Sequence, residues 1–103
     1  MNRNKYLPLS ETTYYVMLAL RKPSHGYAIM QEIQLLSEGE VRIAAGTLYG
    51  ALDHLLKGGL IKRVESNDAR RKVYVLTPKG QDILILEAMR MQHLTSLLQG
   101  VHT

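Results

Sequence analysis

Six cations stand close together in this sequence: Lys57, Lys62, Arg63, Arg70, Arg71 and Lys72, with only Glu65 and Asp68 set against them between Lys57 and Lys72. Such a patch is the footprint expected of a chain that meets nucleic acid or an anionic surface, although a merely solvated charged hairpin would look the same in isolation. Just ahead lies the stretch from Ala44 to Gly59, in which Thr47 and Tyr49 offer hydroxyl groups. Leu48, Leu52, Leu55 and Leu56 recur there at offsets that put them on one side of an α-helix. Tyr49, Gly50, Asp53, His54 and Lys57 fall on the other. One side is made to be buried and the other to touch something. Small residues from Ala44 to Gly46 let a partner approach the helix start, where unpaired N–H groups favour an anion such as phosphate. Gly58-Gly59 stops the helix.

Other chemistry finds little support. His25, His54, His93 and His102 show no i, i+4 pairing and no neighbouring carboxylate that completes a ligand set, so no metal is expected. There is no Cys, hence no disulfide framework or thiolate site. No Ser/His/Asp arrangement, glycine-rich phosphate loop or pair of catalytic carboxylates is present, so the chain is not read as an enzyme and no cofactor is expected. With 103 residues it is long enough for one compact domain. The N-terminus has no signal-type apolar run and no window approaches a membrane span, which makes a cytoplasmic protein with no membrane partner the expectation.

These groups need elements to hold them. Ser10 can cap a first helix running to about Leu20, with Glu11 in its first turn. From Tyr14 to Leu20 every residue is apolar, so that helix must be covered on two sides. Arg21-Lys22-Pro23 ends it and Ser24 is read as the cap of a second helix, roughly His25 to Leu36. Tyr27, Met30, Ile33 and Leu36 there appear as its core stripe. Ser37 to Glu40 is a turn and Val41 to Ile43 is extended, leading into the helix described above; the pair resembles a helix-turn-helix. Leu60 to Glu65 and Lys72 to Thr77 are rich in β-branched residues around a polar interval, a hairpin with a basic tip. Either Tyr74 and Leu76 or Val73 and Val75 face inward.

Thr77-Pro78 starts a last helix reaching about Gln99, on the order of 33 Å long and apolar on too many faces for one contact. Leaving that surface in water, at roughly 25 cal/mol per Å², drives pairing, and a homodimer resolves it. Gly100 to Thr103 is read as a frayed tail. The fold class is therefore mainly α with a small β-hairpin: a winged helix-turn-helix over 1–77, followed by a dimerisation helix and tail over 78–103.

Four motifs carry a family resemblance. His25-Gly26-Tyr27, Gly46-Thr47-Leu48-Tyr49, Gly59-Leu60-Ile61 and Arg71-Lys72-Val73-Tyr74-Val75-Leu76-Thr77-Pro78-Lys79-Gly80 occur in an order that resembles the PadR family of transcriptional regulators, in its short form with one C-terminal helix. The resemblance covers about Leu9 to Leu98. It implies a dimeric, repressor-type regulator with the third helix in the major groove, the wing along the backbone, and the first and last helices forming the dimer interface. Where the family often has Ser-Pro ahead of Gly-Thr-Leu-Tyr, this chain has Ala44-Ala45, a missing cap of about 1 kcal/mol.

The resemblance, laid on these positions, implies double-stranded DNA contacts at Ala45, Gly46, Thr47, Tyr49, Gly50, His54 and Lys57, at Arg70, Arg71 and Lys72, and at Tyr27, a residue equally able to be core. The interface set is Tyr14, Leu18, Ile83, Leu84, Leu86, Met91, Leu94 and Leu98. Tyr14, Tyr15, Met17, Met89 and Met91 could line a cavity for a flat hydrophobic or aromatic effector, with ordinary interface packing the weightier reading of the same residues. The competing reading of the whole chain is a winged-helix protein-interaction module without DNA binding.

Overall fold

The computed structural model describes residues 4–98. The tail from Gly100 to Thr103, with His102, lies outside the described residues, as does Gln99. The chain forms α1 (Glu11–Ala19), β1 (Ser24–His25), α2 (Gly26–Leu36), α3 (Ala45–Lys57), β2 (Ile61–Val64), β3 (Val73–Leu76) and α4 (Pro78–Ser96). The strands make one antiparallel sheet in the order β1-β3-β2. This is a winged helix with a long additional helix.

Capping sets most boundaries. The Ser10 hydroxyl accepts the Thr13 N–H (3.0 Å) and opens α1, as its sequence implies. At α3 the Gly59 N–H reaches the Leu56 carbonyl and the Leu60 N–H reaches that of Leu55, a Schellman ending that needs the positive φ of Gly59 (72°). The end of α2 uses the same pattern with Glu38 in the left-handed position (φ 54°) and Gly39 after it. Ser37, buried beneath that turn, accepts the Val41 N–H and fixes the course of the chain toward α3.

Two expectations for α2 fail. Ser24 is no cap: it pairs with Tyr74 in the sheet, and His25 stands at the N-cap with no side-chain hydrogen bond to the helix. The buried stripe is Gly26, Ile29, Ile33 and Ser37, while Tyr27 is 65% and Leu36 38% exposed. A strict three-residue spacing steps back about 60° each time, so Tyr27 and Leu36 lie on opposite sides of the helix.

The core joins Val16, Met17 and Leu20 of the first helical segment to Ile29 and Ile33, to Leu48, Leu52 and Leu55, and to Leu60, Ile61, Tyr74, Ile83 and Leu84. Tyr74 faces inward on the hairpin, which decides between the two orientations left open. The wing root is tied down where Leu76 N–H meets the Leu20 carbonyl (2.9 Å) and Thr77 N–H meets that of Leu60 (3.0 Å). Thr77 also donates its hydroxyl to the Gly59 carbonyl and accepts the Gly80 N–H, so one residue caps α4 and fastens it to the end of α3. A methyl group on Gly80 would collide with the Leu60 carbonyl, which explains a glycine in the first turn of α4.

Two polar links hold the segment ahead of α1. Glu87 of α4, 1% exposed, accepts the Leu9 N–H (2.7 Å) and is forked by Arg90, whose guanidinium that hydrogen bond holds above its ordinary pKa. Lys79 donates to the Gly58 carbonyl (2.9 Å) and to the Tyr6 hydroxyl (3.0 Å), setting a cation at the negative end of α3. The bond from Lys79 holds the Tyr6 phenol below the usual tyrosine range. No helix among the described residues is long and apolar enough to cross a membrane.

Candidate nucleic-acid interface

The exposed side of α3 carries Ala45, Gly46, Thr47, Tyr49, Gly50, Asp53, His54 and Lys57, and its other side is sealed by Leu48, Leu52 and Leu55. Its N-cap is Ala44, which provides no side-chain hydrogen bond, in keeping with the missing Ser-Pro. At Gly46 and Gly50 an added methyl group would meet nothing within 4 Å. Glycine in place of alanine costs a helix interior about 1 kcal/mol, and nothing in the chain itself requires the space. Lys57 pairs with Asp53 (2.9 Å), a solvent-exposed contact of small energetic weight.

Tyr49 stands half clear of the surface, 52% exposed, with its ring laid across the start of α2. A methyl group on Gly26 would lie 2.6 Å from the Tyr49 hydroxyl, so Gly26 is the residue that lets the tyrosine sit there. Tyr27 is beside it, its hydroxyl accepting from Gln31 Nε2 (3.3 Å). Opposite stands the basic wing tip. The pairing of β1 with β3, His25 against Val73, brings the start of α2 against the strand that follows Arg70, Arg71 and Lys72. Between them opens a cleft of about 460 Å³ lined by His25, Gly26, Tyr27, Tyr49, Arg70, Arg71 and Lys72. Residues from α2, α3 and the wing that are scattered in sequence thus converge on one concave, donor-rich surface.

The wing tip is ordered from within. Asp68 accepts the Arg70 N–H (2.9 Å) and lies 3.4 Å from Arg70 Nε and 3.9 Å from Arg71 Nε. Arg71 Nη1 is 3.3 Å from His25 Nε2. Neither Asp68 nor His25 is apparent as part of a site in the sequence. His25 is visible there only as the first letter of His-Gly-Tyr, and its contact with Arg71 spans 46 residues of chain. Lys62 and Arg63 are exposed on β2 but do not line the cleft.

A second surface is apolar. The midsection and end of α4 expose Ile85, Leu86, Met89, Leu94, Leu97 and Leu98. Ile83 and Leu84, read as interface residues, are instead buried in this chain's own core, because α4 turns the Gly80, Ile83, Leu84 and Glu87 stripe inward. Leu86, Leu94 and Leu98 are exposed, while Tyr14, Leu18 and Met91 are half-buried. Met17 is likewise removed from any effector surface, being fully buried against the core. Tyr14 and Met91 line two adjoining open grooves of about 800 and 580 Å³, the second of which also takes in Tyr15 and Leu18. Met89 lines neither. Among the described residues no cluster of His, Asp and Glu is placed to hold a metal ion.

Comparison with known proteins adds a family. The model of the transcriptional regulator PadR-like family matches residues 16–85. An uncharacterized 37.1 kDa protein in a transposon, TN4556, of Streptomyces fradiae is 38% identical over 73 residues, 71% of this chain. The chain spans about a fifth (20%) of that relative's length. Among solved structures, a transcriptional regulator from Clostridium thermocellum superimposes with a TM-score of 0.73 at 25% identity, covering 88% of each chain. A PadR family transcription regulator from Clostridium difficile gives 0.68 at 26% identity, covering 84% of this chain and 93% of the other.

Proposed function

The chain belongs to the PadR-like family of transcriptional regulators, which are not enzymes, and from that premise we propose that it acts as a cytoplasmic homodimeric repressor on a two-fold symmetric operator. The observation that carries the reading is the convergence of Tyr27, Tyr49, Arg70, Arg71 and Lys72 on one cleft beside the bare face of α3. A major groove about 12 Å wide admits a helix with small side chains along its leading face. Thr47 and Tyr49 then donate to phosphate or base edges, and Ala45 and Gly50 pass close to thymine methyl groups. His54 and Lys57 extend the contact along α3, and the wing arginines meet the phosphate backbone.

Pairing falls to α4 with α1. Exposed Leu86, Leu94 and Leu98, flanked by Tyr14, Leu18 and Met91, form the surface a second copy would cover, so residues 1–77 read DNA and 78–103 join the copies. The division is one of role, since the first half of α4 also completes the core. A hydrophobic or aromatic effector held by Tyr14, Tyr15 and Met91 between subunits would change the separation of the two α3 elements and release the operator. Gel shift against random-sequence duplex at low and moderate salt tests DNA binding, and footprinting on the DNA flanking the chain's own coding region tests the operator. Retention of no duplex at low salt would leave the protein-interaction module as the better account.

A further inference from the structure

We propose that Asp53 and Lys57 of α3 act as one unit that reads a C·G base pair in the major groove, Asp53 accepting from the cytosine amine and Lys57 donating to the guanine edge. The proposal rests on the DNA-binding reading above and adds to it the base that the helix selects.

Helix geometry singles out this pair. At about 100° per residue, Gly46, Gly50, Asp53 and Lys57 fall in a strip about 60° wide, opposite the buried side made by Leu48, Leu52 and Leu55. Tyr49 stands to one flank of the strip, and Thr47 and His54 stand to the other. A helix laid along the groove therefore aims the strip at the base edges, while the flanking side chains lean toward the strands that border it. Gly46 and Gly50 carry no side chain, so any reading along the strip falls to Asp53 and Lys57. Asp53 is the one carboxylate of α3. Its Oδ2 lies 2.9 Å from Lys57 Nζ, with the side chains 63% and 76% exposed.

What such a pair recognises follows from its donors and acceptors. A carboxylate only accepts and an ammonium only donates. The major-groove edge of a C·G pair shows the cytosine N4 donor beside the guanine O6 and N7 acceptors, so the two side chains meet it acceptor to donor and donor to acceptor. Guanine beneath Asp53 would set acceptor against acceptor, and so would thymine O4. Adenine offers its N6 donor, but its N7 acceptor lies alongside and repels the carboxylate. An acid facing DNA also weakens binding to every sequence, because phosphates repel it. Lys57 offsets that charge, and the repulsion that survives falls on the wrong bases, which is how an interface gains selectivity. The plainer role, an i, i+4 pair that steadies the helix, leaves base choice untouched.

Selection of sites from a randomised duplex pool, run with the wild-type chain, Asp53→Ala and Asp53→Asn, tests this. The wild-type chain should select cytosine at one position of each half-site. Asp53→Ala should lose the preference at that position and keep the rest of the consensus. Asp53→Asn should move it to adenine, whose N6 and N7 pair with an amide. On single duplexes, replacing the selected cytosine should weaken the wild-type chain about fivefold or more and Asp53→Ala less than about twofold. Both variants should melt within a few degrees of wild type, since the pair is exposed, and Asp53→Ala should bind random duplex more tightly. A consensus identical in the three proteins, or a wild-type consensus with no cytosine that responds to the substitutions, overturns the proposal while DNA binding stands. A chain that retains no duplex at low salt overturns both.

Discussion

Glycines of opposite purpose sit within this one domain, and substitution separates them. Gly50 faces outward with open space around it, so Gly50→Ala should stabilise the chain by about 0.5–1 kcal/mol through helix propensity, raising the melting temperature by a few degrees. If α3 enters the groove as proposed, the same change should weaken duplex binding, because the methyl group would stand between the helix and the DNA. A variant that is more stable and binds unchanged would remove α3 from the groove. Gly80→Ala has the reverse character: its methyl group meets the Leu60 backbone, which cannot give way, and a loss of about 1–3 kcal/mol is expected in thermal or urea melts. The outward glycines could be picked out in the sequence by their place on a helix face. The inward ones, Gly26 beneath Tyr49 and Gly80 against Leu60, depend on partners 23 and 20 residues away, and no local pattern marks them.

Each element makes its own demand. If the wing meets two phosphates, Arg70→Ala with Arg71→Ala should make the log–log salt dependence of DNA affinity shallower by nearly 2, since each phosphate contributes about 0.9. An equal slope in both proteins would mean the wing is idle. At the end of α2, Glu38 holds the left-handed conformation that glycine adopts freely, and it places a negative charge at the negative end of the helix. Glu38→Gly should therefore raise stability by about 1 kcal/mol in a urea titration. The helices were legible because capping and apolar spacing are local: Ser10, Thr77-Pro78 and Gly58-Gly59 mark ends that the fold keeps. The phase of α2 was not, because Tyr27, Met30, Ile33 and Leu36 recur every three residues and so walk round the helix, while the residues it buries are Gly26, Ile29 and Ile33. Nor was β1, two residues long, whose only reason to be a strand is its partner β3.

The described chain has a radius of gyration of 15.0 Å, against about 13 Å for a compact domain of this length, and extents of 53 × 33 × 21 Å. The excess is the outer half of α4, where every residue from Gln92 to Leu98 is exposed. If α4 joins two copies as proposed, Leu94→Glu should leave the fold intact, since that side chain is outside the core, while sedimentation at micromolar concentration shifts from dimer to monomer. Operator affinity should fall with it by about a hundredfold or more, as two coupled half-sites become independent. A variant that stays paired would put the interface elsewhere. The length and apolar character of α4 were plain in the sequence, but which of its residues close the core was not. Glu87 is the sharpest case: its burial depends on Leu9 and on an arginine one turn away, and composition alone places a glutamate in water.

The knot at Thr77 sets how force crosses this molecule. One side chain grips the end of α3 and the first turn of α4, while the amide beside it grips the start of the hairpin, so the joint resists bending as a welded bracket does. If a second copy packs on α4 as proposed, a rotation it imposes on that helix would pass through Thr77 to the end of α3 and the root of the wing together. Thr77→Val, which keeps the shape but deletes the hydroxyl, should speed amide exchange at Gly80 and loosen that transmission. Exchange as slow as in the wild type would show that the stiffness has another source.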